Sequence, residues 1–517
     1  MDYSPEIPQA RYNILKTERD KYKLRAQDYS KVTLPYIMPD AEDVSSQELQ
    51  TDFNSIGADL VNNLANKYIQ ELFPPSRPFF RLRIDELVRQ EGQDTAKLDG
   101  LLAIAERRAR WAFEQRQARP VLLDLLKHCI ITGNALLYFP PDGGRPTLYA
   151  LDEYVVNRSV SGEVLEIITT DTKAINALDE DIRDDVIAAL DVDTDEDLNE
   201  MTATIYTYIR RDKDNPGEYI VDQAVENTPV GDPEQRFKKE LLPWIPCVWQ
   251  RTRKEHYGRG LVEDHYGSFW ALSVLTEAMV TGAAVMTDIK YLVRPGSMLD
   301  VAAMNNAASG TYHYGMPDDV NAVQTNKSAD FSFINAVIQD YRQHLGKVFL
   351  SISSQIRDAE RVTAEENRIR AMELEQAHGG TFSSFAVTLQ QPMARLLLRD
   401  IDLNIEGTGI DPVVVTGLDA MGRSAENEKL RYFFDDLAML NNLPESTRMR
   451  LKESALMTIL ATGRDVEGEK VIKTDEEFAQ EQAAMQEQQA AAMAGQEMLN
   501  KADADQIAQG VQGVQGG

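Results

Sequence analysis

Three aspartates at alternating positions, Asp191, Asp193 and Asp195, open like the loop that holds calcium in an EF-hand. That loop needs a glycine at its sharp turn and a bidentate glutamate at its end. Glu196 and Thr202 occupy those places, so the segment reads as solvated acidic chain. The histidines His128, His256, His265, His313, His344 and His378 show no zincin spacing. Gly258-Arg-Gly260 and Gly407-Thr-Gly409 lack the third glycine of a dinucleotide loop, and neither a P-loop lysine pattern nor a nucleophile-elbow serine occurs. Carboxylates could hold Mg²⁺ for a nuclease, but no pair of them is set on a strand in a metal-binding pattern. The expectation is a chain with no catalysis, no metal site and no cofactor.

What remains is a short polar segment with two arginines in an acidic protein. The formal net charge is −29, whereas proteins that grip DNA neutralise phosphates with Lys and Arg. If the chain handles DNA at all, the contact must be sparse and local, suited to sliding; on composition alone, the acidity reads as serving solubility. Gln355, Arg357 and Arg361 form a short polar segment leading into Thr363 and Glu366, which have capping-box spacing at a helix start. By themselves the two arginines read as ion-pair partners of Asp358, Glu360, Glu365 or Glu366; the resemblance described below implies instead that they face DNA, and both readings stay open. The helix is interrupted at Gly379-Gly380 and resumes with Phe382, Phe385, Leu389, Met393, Leu396 and Leu397 on one face, where Pro392 predicts a bend.

The rest of the chain must position this segment. Its 517 residues, 43% hydrophobic and 26% charged, are ordinary for a globular protein of about three domains. Cys129 and Cys247 lie in apolar surroundings and read as buried free thiols of a reducing cytoplasm. The first residues carry no secretion-signal pattern. The stretch from Leu272 to Ile289 is apolar, but Glu277 and Asp288 make it too polar to span a bilayer unaided. Helical patterns run over 11–29, 53–73, 99–114 and 121–131, the last two joined by a break at Pro120. Strand-like runs follow at 79–84, 135–139, 147–150, 154–156, 164–169, 202–210 and 219–225, with an acidic helical insertion over 178–200. A helix over 260–291, rich in small residues such as Ala278, Gly282, Ala283 and Ala284, and a second over 334–351 bracket a small excursion, like a stalk with a tip. Pro412 to Val415 reads as a strand closing on the body. The fold class is α+β, mainly α-helical.

These segments, in order, resemble the portal proteins of short-tailed, autographivirus-type bacteriophages. The likeness is carried by Glu71-Leu-Phe-Pro74 with Phe80-Arg-Leu82, Thr132-Gly-Asn-Ala-Leu-Leu-Tyr138, Tyr257-Gly-Arg-Gly260 with Glu263, Arg361 to Glu366, Leu389-Gln-Gln-Pro392, and Thr416 to Gly422. It spans about residues 22–423; from Ser424 onward it is poor, and the acidic insertion matches nothing in the pattern.

The resemblance implies the phage portal fold of wing, stem, clip and crown, assembled as a ring of about twelve subunits. It assigns 1–259 to the wing, 260–291 to the first stem helix, 292–333 to the clip and 334–351 to the second stem helix. Residues 352–362 become the DNA-channel loop, 363–423 the rest of the wing, 424–480 the crown and 481–517 a low-complexity tail. It implies a conduit for double-stranded DNA in packaging and ejection at one capsid vertex. Implied partners are the terminase large subunit, major capsid and scaffolding proteins, the tail adaptor and internal core proteins, with no membrane. The location is the virion, after assembly in the host cytoplasm. The competing reading is another ring-forming tail adaptor or structural virion protein, which predicts helices without the stalk and tip.

Overall fold

The computed structural model describes residues 8–40, 53–75, 78–84, 95–178, 180–190, 201–225, 228–287, 290–316, 318–323, 328–351, 377–378, 380–403 and 410–414. Gln355, Arg357, Arg361, Thr363, Glu366 and Gly379 lie outside the described residues, as do the crown and tail assigned to 424–517.

Helix α1 (Pro8–Lys31) is followed by α2 (Ile56–Leu72), which buries Leu60, Val61, Leu64, Ala65, Tyr68, Ile69 and Leu72 at helical spacing. Strand β1 (Phe80–Ile84) pairs antiparallel with β12 (Ile410–Val414), so the late strand does close on the body, Phe80 opposite Val414. Helices α3 (Thr95–Gln115) and α4 (Ala118–Thr132) break before the expected proline, at Gln117, whose φ is 50°. Pro120 sits in the first turn of α4, where a helix has no intrahelical use for the N–H that proline lacks.

Two antiparallel sheets carry the middle of the chain. β2 (Asn134–Tyr138), β3 (Thr147–Tyr149) and β9 (Trp244–Val248) form one in the order β3-β2-β9. The other is β4 (Tyr154–Arg158), β5 (Val164–Ala174), β6 (Thr202–Arg211), β7 (Glu218–Val225) and β8 (Thr228–Lys238), paired in chain order. β8 escapes a pattern reading because Pro229, Gly231, Pro233 and Glu234 break its alternation. Such residues are tolerated because it is an edge strand with an irregular register. Helix α5 (Glu180–Leu190) accounts for the first part of the acidic insertion; Val186 is buried, and Asp185 accepts the Gly231 N–H at 2.9 Å. Thr202, at the glutamate position of the calcium-like pattern, begins β6.

Helix α6 (Leu261–Thr287), β10 (Lys290–Val293), α7 (Val301–Asn305), β11 (Val320–Val323) and α8 (Ser328–Val348) form the stalk and tip. The first helix ends earlier than its apolar run predicts: Tyr291 belongs to β10 and faces Ala322 across the β10–β11 pair. The second helix begins before Ile334, at Ser328. Strand pairing between segments far apart in sequence decides both ends, and local periodicity does not report it. The chain then runs through α9 (Thr381–Phe385), a π-helical turn (Ala386–Gln390) and α10 (Gln391–Asp400).

The main core joins α2, α4, β2, β9, the root of the stalk and the α9–α10 segment. Cys129 and Cys247 lie in it as free thiols, and burial pushes Cys247 up to about 12.

Candidate functional site

The root of the stalk is a crossing of backbones that needs glycine. Gly133 ends α4 at φ 79°, and a Cβ there would stand 2.4 Å from the Arg259 carbonyl carbon. A Cβ on Gly260 would stand 2.6 Å from the Ile131 carbonyl oxygen. The Asn134 amide holds the crossing: its Nδ2 donates to the Thr132 and Gly258 carbonyls, each at 2.9 Å, and its Oδ1 accepts the Gly258 N–H at 2.6 Å. The segments Thr132-Gly-Asn134 and Tyr257-Gly-Arg-Gly260, far apart in sequence, thus form one structure.

Charge fastens the same place. Glu263, in the first turn of α6, accepts from Arg25 of α1 at 2.9 Å and from Arg259 at 2.9 Å, while Arg259 also donates to Glu255 at 2.8 Å. Burial raises the Glu263 pKa against the pull of the two guanidiniums, whereas the hydrogen bond from Arg259 holds Glu255 down. Arg25 also lies over the Tyr22 ring, 4.7 Å from its centroid.

From that root the stalk changes character along its length. Near the body α6 and α8 pack closely: Phe269, Leu272, Ile338, Leu345 and Phe349 are buried, and the Phe269 and Phe349 rings meet edge to face at 5.6 Å. His265 and His344 face each other across the pair with ring centroids 5.8 Å apart. Farther out, Gly282 receives the Phe331 ring, so one of the small residues of α6 serves packing within the subunit. Val280, Val285 and Phe333 nonetheless stand 57%, 62% and 71% exposed. At the tip Met298, Tyr312 and Tyr314 are almost wholly exposed. By length and composition α6 is apolar enough to cross a membrane, contrary to the sequence expectation: Asp288 lies past its last residue, and Glu277 is the one charge in its outer half. Little of that helix is buried within its own chain.

The body end of α8 leads to residues 352–376, which lie outside the described residues. The helix closes in a Schellman arrangement, with Ser351 N–H donating to the Gly346 carbonyl at 2.7 Å and Leu350 N–H to that of Lys347 at 3.2 Å. Leu350 takes the left-handed position usually given to glycine, φ 56°. Its carbonyl accepts from Lys67 at 2.5 Å and that of Phe349 from Asn63 at 3.4 Å, both on α2. His378 fastens the returning chain to the same spot: Nε2 donates to the Val348 carbonyl at 3.2 Å, and Nδ1 accepts from the Tyr68 hydroxyl at 3.0 Å. A carbonyl only accepts, which sets this tautomer; burial lowers the His378 pKa and keeps the ring neutral.

Of the residues singled out from sequence, Gly380 and Pro392 fall among those described. Gly380 has φ 89° and precedes α9. Pro392 lies in the first turn of α10, directly after the π-helical turn, which re-registers the hydrogen bonds around the missing N–H. Sequence reasoning gave no role to Leu350, Lys67 or Arg25 and named His378 only among histidines without metal spacing. Asn134 and Glu263 left a trace only inside the short motifs Thr132 to Tyr138 and Tyr257 to Glu263, with no hint of what they meet.

The family model described as bacteriophage head to tail connecting protein matches residues 8–405. A portal protein of Enterobacteria phage SP6 is 35% identical over 480 residues, covering 92% of this chain and 92% of its own. A portal protein of Escherichia phage T7 is 33% identical over 485 residues, covering 91% and 89%. Among solved structures, the neck of an empty GTA particle aligns with 73% of this chain and 85% of that one at 10% identity; its TM-score of 0.34 is too low to carry weight.

Proposed function

The chain belongs to the head-to-tail connecting proteins of bacteriophages, and from its portal role in the virion we propose that it acts as a ring of about twelve copies whose bore passes double-stranded DNA. The observation that carries the ring is α6: a long apolar helix with only a small part of its surface buried by its own chain. A soluble chain does not leave such a face to water. Neighbouring copies, each presenting the same stalk, would cover it through a head-to-tail interface that closes.

The body from residue 1 to 259, with 363–423, is the wing; α6 and α8 are the stem, and the tip between them is the clip. The clip, with its exposed Met298, Tyr312 and Tyr314, docks the terminase large subunit and later the tail adaptor. Residues 352–362 form the channel loop, so that Arg357 and Arg361 line one aperture in every copy while the remaining surface stays acidic. A polyanion slides through such a bore because it finds few places to bind. Capsid, scaffolding and core proteins meet the outer and inner faces; assembly takes place in the host cytoplasm, and no step requires catalysis.

The test is the native mass of the purified protein with images of the particles. A ring near twelve times 58.1 kDa, roughly 700 kDa, with a hole wide enough for duplex DNA is expected. A monomer or dimer at every concentration would remove the reading. In rings that form, Arg357→Ala with Arg361→Ala should alter DNA retention; unchanged packaging and retention would leave these arginines as salt-bridge partners only.

A further inference from the structure

Helix α3 has two faces, and among the described residues only one of them is packed into the core. Leu102, Ala109 and Phe113 are buried in the core. On the opposite side Leu101, Ile104 and Trp111 are 63%, 44% and 65% exposed, and Arg107 and Arg108 are exposed with them. At 100° per residue these five side chains fall within about 120° of one another. The acidic residues nearby are engaged elsewhere: Glu106 accepts the Leu82 N–H at 2.9 Å and Glu114 accepts from Arg119 at 3.0 Å. Arg107 reaches the Ala103 carbonyl of its own helix at 3.3 Å, and neither Arg107 nor Arg108 has an acidic partner among the described residues. In a chain of net charge −29 this is an apolar and cationic face with its charge unbalanced.

We propose that this face of α3 docks on an acidic surface of a neighbouring copy of the same chain. The inference rests on the ring reading above and names one side of its interface. Charge complementarity favours a second copy, because each copy carries 83 acidic residues against 54 basic ones. Tryptophan and arginine side by side are the residues that dominate protein interfaces. A DNA duplex would use the guanidiniums, but it offers an indole, a leucine and an isoleucine nothing to bury against. A closed ring also requires that the docking face differ from the surface it meets, which a cationic helix on an acidic protein satisfies.

The experiment follows assembly of the full chain against concentration and salt by sedimentation. It compares wild type, Arg107→Glu with Arg108→Glu, Trp111→Ala, and Arg107→Lys with Arg108→Lys. The glutamate pair and Trp111→Ala should each raise the concentration for half-assembly by about tenfold or more, with the monomer's melting temperature unchanged. The lysine pair should assemble nearly as wild type and become more salt-sensitive. Glutamate and Trp111→Ala variants that assemble as wild type does would overturn the proposal. Their loss of DNA or capsid-shell binding in intact rings would assign the face to that partner instead, and overturn it equally. A wild type that never assembles would defeat the ring reading itself, an outcome distinct from both.

Discussion

At the scale of single residues, this protein spends its unusual chemistry on joints. Gly133 is required twice over, by its positive φ and by the Arg259 backbone against it. Gly133→Ala should therefore cost about 3 kcal/mol or more, from left-handed strain plus overpacking, measured as a loss of denaturation midpoint. His128 shows how burial sets a pH limit. Its ring lies inside α4's core face, and burial pushes its pKa down to about 4 from 6.5. Between those values the unfolded chain binds more protons than the folded one, so stability falls as pH falls. The contribution is complete above about pH 6.5 and on the order of 3 kcal/mol is lost by about pH 4. Melting temperature should drop across that window, and less steeply in His128→Leu; equal slopes would remove His128 from the account.

At the scale of elements, the question is how the stalk is held to the body. The Arg25–Glu263 pair joins α1 to the first turn of α6, and Glu263 is well covered while Arg25 is partly exposed. A double-mutant cycle with Arg25→Ala and Glu263→Gln should give a coupling of about 1 kcal/mol, reduced by solvent screening on the arginine side. Additive effects would mean that the glycine crossing alone fixes the stalk. The pairing of β10 with β11 likewise decides where the stalk helices stop, which explains why the helix read to Tyr291 ends at Thr287. The π-helical turn before Pro392 is a second such case: the proline was legible, its accommodation was not.

At the scale of the whole molecule, the proposed ring requires the exposed outer half of α6 to be covered by a neighbouring copy. Val280→Asp with Val285→Asp should abolish rings and leave the monomer's circular dichroism unchanged, since neither valine is in the core. Rings that survive the double substitution would show that copies do not cover this face. The net charge of −29 acts at the same scale, because copies repel one another unless local contacts prevail. Assembly should accordingly be helped by moderate salt wherever that diffuse repulsion dominates, and weakened only at specific charged contacts.

Among the described residues, the mixed helix and strand class, the order of most helices and strands, the stalk with its tip, the buried thiols and the family were legible along the chain. Each of these rests on local periodicity, on turn residues or on short motifs in order, all of which are written along one dimension. That Asn134 meets Gly258, that Arg25 meets Glu263, and that His378 closes on Val348 and Tyr68 came from the packing of the folded chain. That packing also decided that β8 is a strand and that α3 and α6 keep apolar faces outside the core. Those facts depend on which distant segments pack together, and a residue's type carries no record of the partner that packing will bring to it.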